Sequence, residues 1–432
     1  MQFFYELGSL IEQRWRDRNY DEESFPEIAA HALADLNPSQ QVDAWEIVRW
    51  VHTEKQLPSQ QDVDAKFGTP PITLYAGPRF YIDVYFWTDA TTSIHQHAFA
   101  GAFQVLLGSS IHSHYSFKNE QKINAHFSTG QMALHNVRLL EKGDIQRIYA
   151  GQRYIHSLFH LDRPSATITV RTYHSPSGHP QYNYLKPYLA ENPFFKEPST
   201  IKKLQTVALL LTIKHPDADV MINELISNSD FHTAFLILQA AFKELTGNEL
   251  EKIFHLSNER ERFQSMLEKA RLRHGQLIDL VPPVFDEMQR QHNIVQRRRY
   301  LTDSEQRFFL ALILNVTDRA KVLELVKRRF PEQDPIDTVA DWVMELATTK
   351  LLGSSEPNVL GIDYFDEDSL FVFRRTLAGC SIEQVQRAIK AEYPAGTAES
   401  LLGDLEEIRA SFQSSILLNS ILSTSQSAAT TT

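Results

Sequence analysis

The stretch Ser93-Ile94-His95-Gln96-His97, running on to Gly108, decides how this chain reads. It has the texture of a β-strand. Side chains alternate across a strand, so His95 and His97 point to one face. Two imidazoles on one face are the beginning of a transition-metal site, and a third ligand must come from elsewhere. A His-x-His pair is also common as two solvated surface groups, so the neighbourhood has to separate the readings. Ten of the chain's 17 histidines fall between His95 and His179.

Working outward, residues 72 to 176 are a succession of short runs rich in Tyr, Phe, Val, Ile and Thr, bounded by turn residues. They are Phe80 to Trp87, Ala102 to Leu107, Ile111 to Phe117, Gln131 to Leu139, Ile145 to Tyr149, Ser157 to Leu161 and Ala166 to Tyr173. Many short strands with turn signals predict a sandwich or barrel. Residues 1–66 read as a helical segment, with Leu7, Leu10, Ile11 and Trp15 at helical spacing and Asn37-Pro38 as a helix start. Residues 181–199 carry Pro187, Pro193 and Pro198 and read as a linker.

Residues 200–422 are helical in pattern, with stripes such as Val207, Leu210, Leu211 and Ile213. Thr302-x-x-Glu305 and Ser381-x-x-Gln384 have capping-box spacing. The Ser/Thr/Ala-rich residues 423–432 are expected to be disordered. The fold class is therefore α+β: an antiparallel β-barrel over 67–180, between an N-terminal helical segment and a C-terminal all-helical domain.

Composition narrows the function. The chain has 432 residues, 42% of them hydrophobic and 22% charged, with a net charge of −11. An acidic balance argues against a nucleic-acid partner. No apolar run approaches the roughly 18 residues of a membrane span. Cys380 is the sole cysteine, which excludes an intrachain disulfide and any multi-cysteine metal cluster. A cytoplasmic protein is expected.

His95-x-His97 is followed by Gln104 and Gly108. Downstream come Gly143, Tyr149-x-Gly151, His156 and His160. This succession resembles the two motifs of the cupins, with Gln104 in place of glutamate, Tyr149 in place of proline and His160 in place of asparagine. Within the cupins, residues 75–177 resemble cysteine dioxygenase and related thiol dioxygenases. The shared texture runs through Arg79-Phe80, Phe86-Trp87, Ser93-Ile94-His95-x-His97, Ala102-Phe103, Leu107-Gly108, His156-Ser157-Leu158-Phe159-His160 and Val170-Arg171-Thr172-Tyr173.

The resemblance implies a cupin barrel with His156 as the third metal ligand beside His95 and His97. That family holds ferrous iron on three neutral histidines with no carboxylate. Fe(II) is the expected cofactor, with zinc, nickel, manganese or copper as alternatives. The family's Ser-His-Tyr relay maps onto Thr169, Arg171 and Tyr173. Tyr173 is kept as a catalytic residue. Arginine does not release its proton at working pH, so Arg171 is read as holding an anionic substrate. Arg79 falls near the family's carboxylate-binding arginine. Gln104 is read as holding a ligating ring in place or as a weak fourth ligand, and His160 as holding a ligating ring in place.

His112 and His114 repeat the His-x-His spacing and read as a polar barrel face or as further such partners, with a second metal as the alternative. Arg297-Arg298-Arg299 reads as a solvated helix face, with an anion patch shared with Arg260 and Arg262 as the alternative. The expected activity is that of a mononuclear non-haem iron oxygenase of the thiol-dioxygenase type, an oxidoreductase whose partners are a small anionic substrate and dioxygen. The alternative is a non-catalytic cupin that binds a metal or small molecule and signals to a protein partner through the helical domain.

Overall fold

The computed structural model describes residues 2–63, 68–88, 91–175, 177–246, 258–316, 318–351 and 356–422. Four helices come first: α1 (Gln2–Arg16), α2 (Phe25–Leu36), α3 (Pro38–Gln41) and α4 (Ala44–Thr53). Eleven strands follow: β1 (Pro71–Ala76), β2 (Phe80–Trp87), β3 (Ile94–His95), β4 (Gly101–Leu107), β5 (Ser110–Asn124), β6 (Phe127–Leu140), β7 (Ile145–Ile148), β8 (Ile155–His160), β9 (Ser165–Thr172), β10 (Asn183–Leu185) and β11 (Leu189–Glu191). Among the described residues from Pro198 to Leu422 the elements are all helices.

The strands pair antiparallel in two sheets. The first has the order β1-β2-β9-β4-β7; the second has the order β10-β11-β6-β5-β8-β3 and closes on itself through β10 and β3. Strands β2-β9-β4-β7 opposite β3-β8-β5-β6 are wound as a double-sheet jelly roll, the architecture of the cupins. The barrel expected from the sequence is present.

Strand β2 explains how the first sheet is used. Phe80, Ile82, Val84 and Phe86 alternate with Tyr81, Asp83, Tyr85 and Trp87, and the whole strand is buried. The first set packs with Ala102, Leu106, Ile168 and Val170 against Phe4, Leu7, Ile11, Trp15, Phe25 and Leu33 of α1 and α2. The N-terminal helices thus cover the sheet's outer face, and the second set is left facing the barrel interior. Trp87 stacks on His160 of the opposite sheet, with ring centroids 4.4 Å apart. Gly101 lets β4 approach β9 here: a Cβ at that position would lie 2.1 Å from the Val170 carbonyl oxygen.

The helical region is joined to the second sheet by shared cores. Ile111, Val137, Leu139, Phe159 and Leu161 belong to one cluster with Phe308, Phe309, Leu312 and Ile313. Phe127 and Leu189 belong to another with Val207, Ile222, Phe235 and Phe285. Arg298 donates to the His160 carbonyl at 2.6 Å and to Thr91 Oγ1 at 2.8 Å, and lies over the Phe159 ring.

Three expectations change. Residues 181–199 are not a plain linker, because β10 and β11 lie within them and complete the second sheet. Tyr182 and Tyr184 are buried there, with hydroxyls bonded to the Ala125 carbonyl and Gln96 Oε1. Arg297 and Arg298 are buried rather than solvated. The helix over Ser304–Asn315 is capped by Asp303, not Thr302, while the Ser381–Gln384 capping box is formed as read. Residues 423–432 lie outside the described residues. Among the described residues, no helix is long and apolar enough to cross a membrane.

Candidate metal centre

Strand register assembles the centre. On β8, His156 pairs with His95 of β3 on one side and with His114 of β5 on the other. His97, just past the end of β3, bridges to Ala150. The side chains of His95, His97 and His156 converge, each offering one nitrogen within 4.8 Å of the other two. His97 Nε2 and His156 Nε2 are 2.9 Å apart. All three rings are buried. Among the described residues, this is the one group of three such side chains, and no carboxylate belongs to it.

Burial holds these rings neutral. It lowers the pKa of His95 and carries those of His97 and His156 well below the ordinary histidine value, with neighbouring rings adding to the effect. Neutral imidazole is the form that ligates metal. His95 Nδ1 lies 2.8 Å from the Ser93 carbonyl, so that nitrogen carries the proton and Nε2 keeps its lone pair for the centre. The donor set therefore fits a transition ion bound by three uncharged nitrogens.

The other expected residues are placed differently. Gln104 alternates with Phe103 and Val105 and faces outward, where its amide is occupied by Ser39 N, Asn37 Oδ1 and the Gly143 carbonyl. It neither ligates nor holds a ligating ring. His160 lies on the same strand face as His156 but two steps along, with Nδ1 2.9 Å from both Ser110 Oγ and Ser165 Oγ. It does not touch the triad. Arg79 is exposed and stacks over Tyr20, away from the interior.

Arg171 does face inward, in register with Tyr81 and Gly101. Its guanidinium carbon lies 3.6 Å above the Phe99 ring, and Phe99 lies 4.4 Å from the His97 ring. Asp62 Oδ2 approaches its edge at 3.6 Å. Tyr173 is not part of one relay with Thr169 and Arg171. It follows the end of β9, and its hydroxyl donates to the Gly77 carbonyl at 2.8 Å.

Two features were not read from sequence. Tyr154 packs against His156, with centroids 4.5 Å apart, and is buried. Asp83 is fully buried on the inner face, in register with Thr169. Its Oδ2 accepts from the Tyr85 hydroxyl at 3.2 Å, while Oδ1 has no partner. The available signal was an acid set between aromatic residues in a wholly apolar strand.

Burial pushes Asp83 up to about 6, against the pull of the neighbouring Thr73 hydroxyl and of Arg171. A native carboxyl that holds its proton to higher pH than the unfolded chain stabilises the fold below pH ~4. That advantage is lost as pH rises through ~6. Asp83→Asn is expected to be more stable than wild type by roughly 2–3 kcal/mol above pH 7, with the gap closing toward pH 4. Urea midpoints of both proteins across that range test it; the histidine contributions are common to both and cancel. A gap that does not change with pH would show that Asp83 is not the titrating group.

No family model and no curated protein matches this sequence. Solved structures similar to it include hydroquinone 1,2-dioxygenase from Sphingomonas sp. TTNP3, at 9% identity over 25% of this chain and 68% of that one, TM-score 0.20. A double-stranded beta-helix protein from Klebsiella pneumoniae is 16% identical over 29% of this chain and 95% of that one, TM-score 0.18. DMSP lyase from Ruegeria pomeroyi DSS-3 is 15% identical over 36% of this chain and 75% of that one, TM-score 0.20. The assignment of the jelly roll rests on the strand order given above.

Proposed function

We propose that this cupin is a mononuclear metal-dependent oxygenase acting on a small anionic substrate with dioxygen, with Fe(II) as its metal. The observation that carries the reading is the 2.9 Å approach of His97 Nε2 to His156 Nε2, with His95 beside them. Nitrogens that close, with each lone pair needed by an ion, are spaced as ligands of one ion are. Three neutral donors would leave the full charge of a divalent ion uncompensated, which favours an anionic ligand in the remaining positions. When bound, the metal supplies open positions at which substrate and dioxygen can be activated.

The chain's own residues have the following parts. His95, His97 and His156 hold the metal. Phe99, Phe103 and Tyr154 pack around the triad and exclude water. Arg171, over Phe99, holds the substrate's anionic group. Tyr173 keeps its hydroxyl on Gly77 and is not given the part of orienting substrate or oxygen that the thiol-dioxygenase resemblance implied for it. The substrate is therefore not expected to be free cysteine.

Metal analysis of untagged protein, followed by oxygen uptake across a panel of small thiols and carboxylates, tests the reading. Arg171→Met is expected to leave metal uptake intact and to weaken substrate binding by roughly 2–5 kcal/mol, the usual cost of removing one partner of a buried charged pair. Unchanged binding of every ligand would make Arg171 a structural residue.

The second reading is a non-catalytic sensor. It is favoured by the bonds of Arg298, which join the helical region to the last residue of the strand that carries His156. Ligand binding without oxygen consumption would select it.

A further inference from the structure

His156 has both ring nitrogens engaged. Nε2 faces His97 in the triad, and Nδ1 lies 2.9 Å from His112 Nε2. A neutral imidazole has one proton. If Nε2 is to give its lone pair to a metal, the proton sits on Nδ1 and is donated to His112. Nε2 of His112 must then be its unprotonated nitrogen, with the proton on Nδ1. That Nδ1 is buried with no partner, so the tautomer is set from the Nε2 side.

We propose that His112 is the positioning residue of the centre: it accepts the Nδ1 proton of His156 and so aims His156 Nε2 at the metal. The proposal rests on the metal reading given above. A side chain that bonds the outer nitrogen of a ligating histidine fixes both its tautomer and its rotation. His112 is well placed for this. It is fully buried on β5, the strand paired with β8, and its ring lies 5.9 Å from Phe103.

Tyr154 Oη and His114 Nε2 also approach His112 Nε2, each at 3.2 Å. One lone pair cannot serve three donors, and the shortest approach is that of His156. Burial keeps His112 neutral, as an acceptor must be. The rings of His112, His114 and His156 do not form a second three-ligand group among the described residues. His95 obtains the equivalent restraint from a main-chain carbonyl, which no substitution of a side chain removes.

The probe is Co(II), titrated into full-length untagged protein in competition with a chromophoric chelator. His112→Phe keeps a ring of similar size and removes the acceptor. It is expected to bind one equivalent with affinity lowered about 10–100-fold. His112→Gln, which restores an acceptor, should recover part of the loss. His114→Phe should bind as wild type does. The second readout is the exchangeable ring N–H signal of His156 in Co(II)-loaded protein labelled with 15N-histidine. It should be present in wild type and lost to solvent exchange in His112→Phe.

Wild-type affinity with an unchanged His156 signal in His112→Phe would overturn the assignment while leaving the metal centre standing. Equal losses in the His112 and His114 variants would also overturn it, since they would reflect a loosened barrel. Failure of the wild type to take up Co(II) would remove the centre and this inference together.

Discussion

Replacing His95, His97 or His156 by alanine will each abolish stable metal binding. Three nitrogens are the whole protein contribution to the centre among the described residues, and two neutral imidazoles without a carboxylate make a weak site. Metal stoichiometry after dialysis, with circular dichroism as the control for folding, decides the matter. Full retention of metal by any one of the three would remove that residue from the ligand set.

A chain ending at Lys196 will not stay soluble. It would expose Ile111, Val137, Leu139, Phe159 and Leu161 in one cluster and Phe127 and Leu189 in another, all now packed with residues of the helical region. Seven such side chains at about 1.5–3 kcal/mol each come to roughly 10–20 kcal/mol. That rivals the whole stability of an ordinary domain, about 5–15 kcal/mol. The buried Arg298 bonds to the His160 carbonyl and Thr91 would be lost as well. Expression of residues 1–196 alone, and then together with residues 197–432, is the measurement. A soluble, metal-binding fragment would show that the barrel stands by itself.

The barrel could be read because period-two alternation survives in strands such as β2 and β4, and because an His-x-His on one strand face is a compact signal. The position of the third histidine came from motif resemblance, and the convergence of the triad agrees with it. Gln104 was misplaced for a physical reason. The motif supplies an order of residues but not the phase of the strand, and the alternation about Phe103 turns Gln104 toward Asn37 and Ser39. Tyr173 was assigned because the resemblance mapped the relay onto Thr169, Arg171 and Tyr173, whose spacing of two places all three on one face of an unbroken strand. The strand stops at Thr172, so the alternation no longer governs it.

Strands β10 and β11 were hidden because three residues each are too few to show periodicity, and the surrounding prolines read as punctuation. The burial of Arg298 could not be seen at all. Its partner is a main-chain carbonyl 138 positions away, which leaves no mark in local composition.

The closure of the second sheet also bears on when the centre can form. Residue 96, between two of the ligands, is fastened by residues that follow the barrel's other strands: Gln96 N donates to the Tyr182 carbonyl, its amide nitrogen to the Pro180 carbonyl, and its amide oxygen accepts from Tyr184. His95 itself pairs with Asn183. A nascent chain that has emerged only through His156 has all three ligands and still lacks the strand that fixes two of them. Ligand geometry thus depends on pairings that span nearly ninety residues. Such pairings close late, because the entropy of the intervening loop must be overcome first. Competence to capture an ion should therefore mark the end of barrel assembly, not an early local nucleus, and premature metallation of the emerging polypeptide is disfavoured by topology alone.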